Sequence, residues 1–174
     1  GFRIVPEDRY VTSWLQSPGY DLMFSKAAET KQALSCLVNS DAFNEIDRMS
    51  NRHPNTVIVI DHLGRIGANG TILQSDIDQL CALAKNENIY LKVSAFYALG
   101  NKKPPHHDLI PLIKQVYDSY GPDRLMWVSD APPALMDESY EDQISVIRDH
   151  INFISQSDKE KLMKTTAERI FFFR

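Results

Sequence analysis

The sequence predicts an α/β fold built on a parallel sheet, and three observations carry that expectation. Five short apolar runs are rich in β-branched and large aliphatic residues, as strands buried on both faces are. Stretches with helical spacing separate these runs, and strand alternating with helix means βαβ units. No charge block, low-complexity tract or linker interrupts the alternation, so residues 1–174 read as a single domain.

The runs are Gly1 to Val5, Ala33 to Val38, Thr56 to Ile60, Ile89 to Val93 and Arg124 to Val128. After the first comes a short, weakly amphipathic helix over residues 21–31. Phe43, Ile46 and Met49 recur at helical spacing and predict a helix over 41–52. Ser75-Asp76-Ile77-Asp78 has the pattern of a capping box and opens a helix over 75–86. Leu109, Leu112, Ile113, Val116 and Tyr120 form one stripe of a helix over 107–120. Two more helices are expected over 139–154 and 157–170, the latter opening on a second capping box, Ser157-Asp158-Lys159-Glu160. Phe171-Phe172-Phe173 reads as a packing tail.

Two architectures satisfy this pattern. A five-stranded doubly wound sheet would be complete at this length. A (β/α)8 barrel, typically about 250 residues, would be present only as its last five units. Length alone favours the former.

Bulk composition excludes several function classes. A net charge of −4 argues against a general nucleic-acid binder. No apolar run approaches a membrane span, and no secretory leader is visible at the start. Cys36 and Cys81 have no metal-ligand spacing and sit in apolar stretches, which reads as two reduced core thiols in a reducing, cytoplasmic compartment.

Polar side chains gather where each run ends, which is where parallel α/β folds place their ligand sites. His62 follows the most hydrophobic run, and a neutral imidazole there can serve as general acid or base or as a metal ligand. Asp130 follows the fifth run. A carboxylate at the mouth of a buried strand must be paired, hydrogen-bonded or metal-bound, and it can activate water. Arg3, Arg9 and Arg65 are candidate carboxylate clamps, although Arg3, inside a strand, could instead pair with Glu7 or Asp61. Lys92, also within a strand, needs a partner that is either substrate or protein. Tyr97 could donate to a substrate oxygen. His106 and His107, after Pro104-Pro105, are expected to be solvated loop histidines.

Four segments then resemble one family. Ile58-Val59-Ile60-Asp61-His62-Leu63-Gly64-Arg65 resembles a strand-end signature of the amidohydrolase-related barrels. Tyr90-Leu91-Lys92-Val93-Ser94 resembles a later strand, and Gly121 through Pro132 resembles the segment that carries the active-site aspartate. Lys164 through Phe171 resembles the closing helix. Order and spacing agree over essentially the whole chain, nearest to the dicarboxylate and sugar-acid lactonases such as the 2-pyrone-4,6-dicarboxylate hydrolases. The resemblance implies a (β/α)8 barrel represented by its last five units. It implies a hydrolase acting on a small-molecule substrate, a cyclic ester or a related C–O or C–N bond. His62 and Asp130 would lie in its active site. Asp130 would be the base toward water or, with His62, a ligand to a divalent metal such as zinc. Arg3 matches a substrate-carboxylate arginine, with Arg9 at a similar spacing.

Departures narrow these expectations. The family opens on a His-x-His strand that this sequence lacks, so three upstream units, about 90 residues, are expected to be missing. The 174-residue chain by itself is then expected to be inactive, and its open sheet edges favour self-association. No histidine follows the second run at Val38-Asn39-Ser40, which weakens the metal reading. Val128 replaces a glycine, and Phe96-Tyr97-Ala98 stands where the lactonases carry an arginine, so a different substrate is implied. The rival readings are a truncated, non-catalytic relative and a doubly wound binding domain. For the latter, Gly64-x-x-Gly67-x-x-Gly70 is a poor phosphate loop because no capped helix starts on it.

Overall fold

The computed structural model describes residues 1–6 and 14–172. Arg9 and Phe173 lie outside the described residues. The order is β1 (Phe2–Ile4), α1 (Pro18–Glu29), β2 (Leu34–Cys36), α2 (Phe43–Arg52), β3 (Ile58–Ile60), α3 (Gln74–Ala82), β4 (Ile89–Val93), α4 (Ile110–Tyr120) and β5 (Leu125–Trp127). Three short helices follow, α5 (Tyr140–Ser145), α6 (Gln156–Glu160) and α7 (Thr166–Phe171), the last two joined by a π-helical turn at Lys161–Thr165. Most strands are shorter than the apolar runs that announce them. Val38, for example, is buried without belonging to a strand, because an apolar run records burial and not pairing.

All five strands are parallel and pair in sequence order, β1-β2-β3-β4-β5. A doubly wound sheet must reverse its direction of growth at a switch point. Here each strand adds to the same edge, so the sheet is an arc of a barrel and the doubly wound alternative is overturned. The register aligns Arg3, Ser35, Val59 and Tyr90 across β1 to β4, and Lys92 with Met126 across β4 and β5. Alternation along each strand then sorts two faces. Leu34, Cys36, Ile58, Ile60, Ile89, Leu91 and Leu125 meet the helices in the main core. On the other face Val59 and Met126 form a second cluster with Ala33 and with Ile170 of α7. Phe171 packs against this cluster with its ring centroid 5.7 Å from the Lys92 ammonium. The aromatic tail is thus half right: Phe171 packs, whereas Phe172 is exposed.

The predicted helix caps need correction. Ser75 lies inside the first turn of α3, whose N-cap is Leu73 with no side-chain cap. At the chain end the capping serine is Ser155, two residues before Ser157, and its hydroxyl accepts from the Asp158 amide. The capping box that does form is at Ser139 and Asp142. The helix expected over 139–154 is also shorter, because a π-helical turn at Val146–His150 ends it. Cys36 is buried and burial pushes its thiol pKa up, while Cys81 is only partly buried. Among the described residues, no helix is long and apolar enough to cross a membrane.

The turn after β3 is unusual. His62, Leu63, Gly64 and Arg65 all have φ between 53° and 60°, one turn of left-handed backbone. Each non-glycine residue held this way costs about 1–2 kcal/mol. Gly64 is required for a second reason, since a Cβ there would collide with the ring of buried Phe43 on α2. Gly64→Ala is expected to destabilise the fold by about 2–4 kcal/mol, combining the left-handed cost with overpacking. Urea denaturation would measure this, and Phe43→Leu in the same chain should recover part of the loss. An unchanged midpoint would show that the turn is not packed as described.

Candidate active site

Asp61 directly follows β3 and its amide donates to the Cys36 carbonyl at 2.9 Å. Its carboxylate is fully buried. Lys92 Nζ lies 2.7 Å from one oxygen and Arg3 Nε lies 2.9 Å from the other, contacts of ion-pair length whose angles fall outside hydrogen-bond geometry. Lys92 also donates to Ser35 Oγ at 3.3 Å. Side chains of β1 and β4 thus converge on one carboxylate, with Ser35 of β2 holding the Lys92 ammonium, and the cluster of two cations and one anion leaves the floor of the site net positive.

His62 sits directly above this floor. Its Nδ1 is 2.9 Å from Ser94 Oγ, and its Nε2 is 3.5 Å from Asp130 Oδ1. Burial lowers the imidazole pKa, opposed by the Asp130 and Asp61 carboxylates, and so favours the neutral ring. The tautomer that suits both neighbours carries its proton on Nε2 and accepts from the Ser94 hydroxyl. Tyr97 donates to Asp130 Oδ2 at 3.0 Å. Burial first, and then this bond, push the Tyr97 phenol up to about 12. Asp130 itself has φ 53°, so both His62 and Asp130 are presented by strained left-handed backbone, as functional residues often are.

These groups open into a cavity of about 490 Å³, within the range of small-molecule sites. Arg3, His62, Arg65, Tyr97, Lys102 and Asp130 bring its charged and polar groups, with Leu37, Leu99 and Pro133 among the apolar ones. Arg65 also lines two neighbouring cavities of about 320 and 140 Å³, beside Asn39 and Asp41. Five of the sequence-derived candidates, Arg3, His62, Arg65, Tyr97 and Asp130, therefore share one cavity. Lys92 is not among its lining residues and spends its charge on Asp61. Arg3 does both, pairing with Asp61 while its side chain stays 49% exposed.

Pattern in the sequence does not single out Ser94 and Lys102 as site residues. Ser94 has a visible signal all the same, since it directly follows β4. His106 needs correction: it is not solvated but buried, 2.9 Å from Glu138. Its partner lies 32 residues away, beyond any local pattern. His107 is exposed as expected. For a metal, His62 Nε2 and Asp130 Oδ1 converge, but among the described residues no group of three His, Cys, Asp or Glu side chains could hold an ion. A catalytic zinc takes three protein ligands, so the described residues alone do not fit one.

Two measurements probe this geometry. Asp61→Ala leaves buried Lys92 without its carboxylate and should cost about 3–5 kcal/mol, partly recovered by adding Lys92→Met; chemical denaturation reads both, and a neutral single variant would refute the hub. The Tyr97 phenol, at about 12 when folded against 10.0 ordinarily, keeps its proton while the unfolded chain loses it. Stability should therefore fall as pH rises through that window, and the fall should be shallower in Tyr97→Phe.

Comparison with known proteins bears on the family and the fold. Residues 1–173 match the model of the amidohydrolase family. The L-fucono-1,5-lactonase of Burkholderia ambifaria is 26% identical over 135 residues, which cover 76% of this chain and 46% of the lactonase. The 4-sulfomuconolactone hydrolase of Rhizobium radiobacter is 30% identical over 77 residues, covering 44% of this chain and 25% of that protein. An amidohydrolase from Burkholderia multivorans, crystallised with zinc, superposes with a TM-score of 0.85 at 20% identity, over 98% of this chain and 63% of its own. A probable 2-pyrone-4,6-dicarboxylic acid hydrolase from Acinetobacter baumannii, with citric acid bound, gives 0.75 at 21% identity, over 99% and 64%. The chain thus spans less than half the length of these two curated relatives and under two thirds of these structures. Over the span it does cover, the arc of five parallel strands is that of an amidohydrolase barrel, and the chain belongs to the amidohydrolase family.

Proposed function

We propose that this chain forms the wall of a hydrolase site for a small anionic lactone, with Asp130 as the base that activates water. The observation that carries the reading is the placement of Asp130. Tyr97 donates to one of its oxygens, His62 Nε2 stands 3.5 Å from the other, and the cavity beyond offers Arg3, Arg65 and Lys102 to an anion. A water resting against both Asp130 Oδ1 and His62 Nε2, at about 2.8 Å from each, would be oriented and ready to lose a proton. The two relatives named for lactones support the substrate class.

In this reading Asp130 takes a proton from that water as its oxygen adds to the lactone carbonyl. The tetrahedral adduct collapses with cleavage of the ring C–O bond. The proton held on Asp130 passes to the departing alkoxide, and an open hydroxy acid results. Neutral His62 steers the water, with Ser94 fixing its ring. The cations around the cavity hold the substrate's carboxylate and favour negative charge on the adduct oxygen. One structural relative holds zinc, but the donors among the described residues fall short of a zinc site.

Hydrolysis of carboxylated five- and six-membered lactones by the full-length protein that carries this chain, followed by acid release, tests this reading. Asp130→Asn should lower kcat by about 10²–10⁴-fold, and Arg65→Ala should raise KM with little change in kcat. Asp130→Asn with wild-type turnover would sink the proposal.

A further inference from the structure

One pair of titratable side chains outside the cavity is buried as deeply as the site. The His106 side chain is fully shielded and that of Glu138 is 4% exposed, with Nε2 2.9 Å from Oε2. The Gln143 amide donates to the same carboxylate oxygen. His106 and Glu138 belong to two of the loops that line the cavity, those after β4 and β5. The loop after β4 runs from Ser94 through Tyr97, Leu99 and Lys102 to His106, whose ring packs 5.9 Å from that of Phe96, the residue before Tyr97. The loop after β5 begins at Val128, carries Asp130 and reaches Glu138. The pair therefore ties the far ends of two loops whose near ends meet in the Tyr97–Asp130 hydrogen bond.

We propose that His106 is a positioning residue for Asp130. Through Glu138 it holds the loop after β5 against the turn at Phe96–Ala98, and so keeps the Asp130 carboxylate on Tyr97 and beside His62. The need for such an anchor is physical. Asp130 has a left-handed backbone that is uphill by about 1–2 kcal/mol and persists only if its surroundings enforce it. Within the loop Ala134 is buried and its amide donates to the Asp130 carbonyl, but this bond is local to the loop, and beyond it Leu135 is 46% and Met136 83% exposed. A buried polar pair is poor evidence of stability and is better explained where it fixes a geometry. The catalytic consequence rests on the reading of Asp130 as base; the geometric claim does not.

Incorporation of 3-fluorotyrosine into the full-length protein gives a fluorine resonance for Tyr97, assigned with Tyr97→Phe. Tyr117 and Tyr120, bonded to Asp158 and to the Leu80 carbonyl, are internal controls. His106→Phe and Glu138→Ala should move the Tyr97 resonance to the position it takes in Asp130→Ala and leave both controls in place. His106→Gln, which keeps an N–H donor, should bring it back toward the native position. A Tyr97 resonance unmoved in His106→Phe, or all three tyrosines moving together, would overturn the proposal. Where the lactone assay is active, His106→Phe should lower kcat by about 10- to 100-fold with KM within about twofold; a change in KM alone would count against positioning. If Asp130→Asn keeps its activity, the reading of Asp130 as base fails while the fluorine result still decides whether His106 positions it.

Discussion

A single carboxylate without access to water organises this site. Asp61 is reached by Lys92 from β4 and Arg3 from β1, so its two oxygens fix how three strands of the arc lie relative to one another at their inner face. Such a group is costly to bury and strongly destabilising to unpair, which makes the arrangement close to all-or-none. The residue that follows it is His62. The position of the imidazole over the floor, and hence its distance to Asp130, is inherited from the ion cluster beneath.

Strain is concentrated at the strand mouths. His62, Ala95 and Asp130 are all left-handed, and they stand where β3, β4 and β5 give way to the cavity. Each such residue turns the backbone sharply, so that side chains from successive strands converge instead of running parallel. The energy this requires is met by packing elsewhere, in a helix-facing core that includes fully buried Phe43, Ile46, Ile58, Ile60 and Leu91. Ser94 and Tyr97 then complete the job by hydrogen bonds, one holding the imidazole and one the carboxylate.

Much of this is legible in the sequence, for definable reasons. A buried strand leaves a run of apolar residues, and a polar residue at its end stands out, which is why His62 and Asp130 are recognisable from the pattern of the chain alone. Helix and strand alternation implies a parallel sheet but not its order, because the side on which each strand adds leaves no local trace. The fate of Lys92 is half legible. A lysine inside a strand must find a partner, yet whether that partner is substrate or Asp61 depends on a register between strands. His106 is illegible, since Pro104-Pro105 marks a loop and nothing nearby points to Glu138.

Arg65 belongs to three cavities at once. They are consequently not independent compartments but share one exposed side chain as a wall. A molecule that draws the guanidinium toward one of them enlarges or reduces the others, so occupancy of the larger cavity and of its neighbours must be thermodynamically linked, each altering the affinity of the other by the same factor.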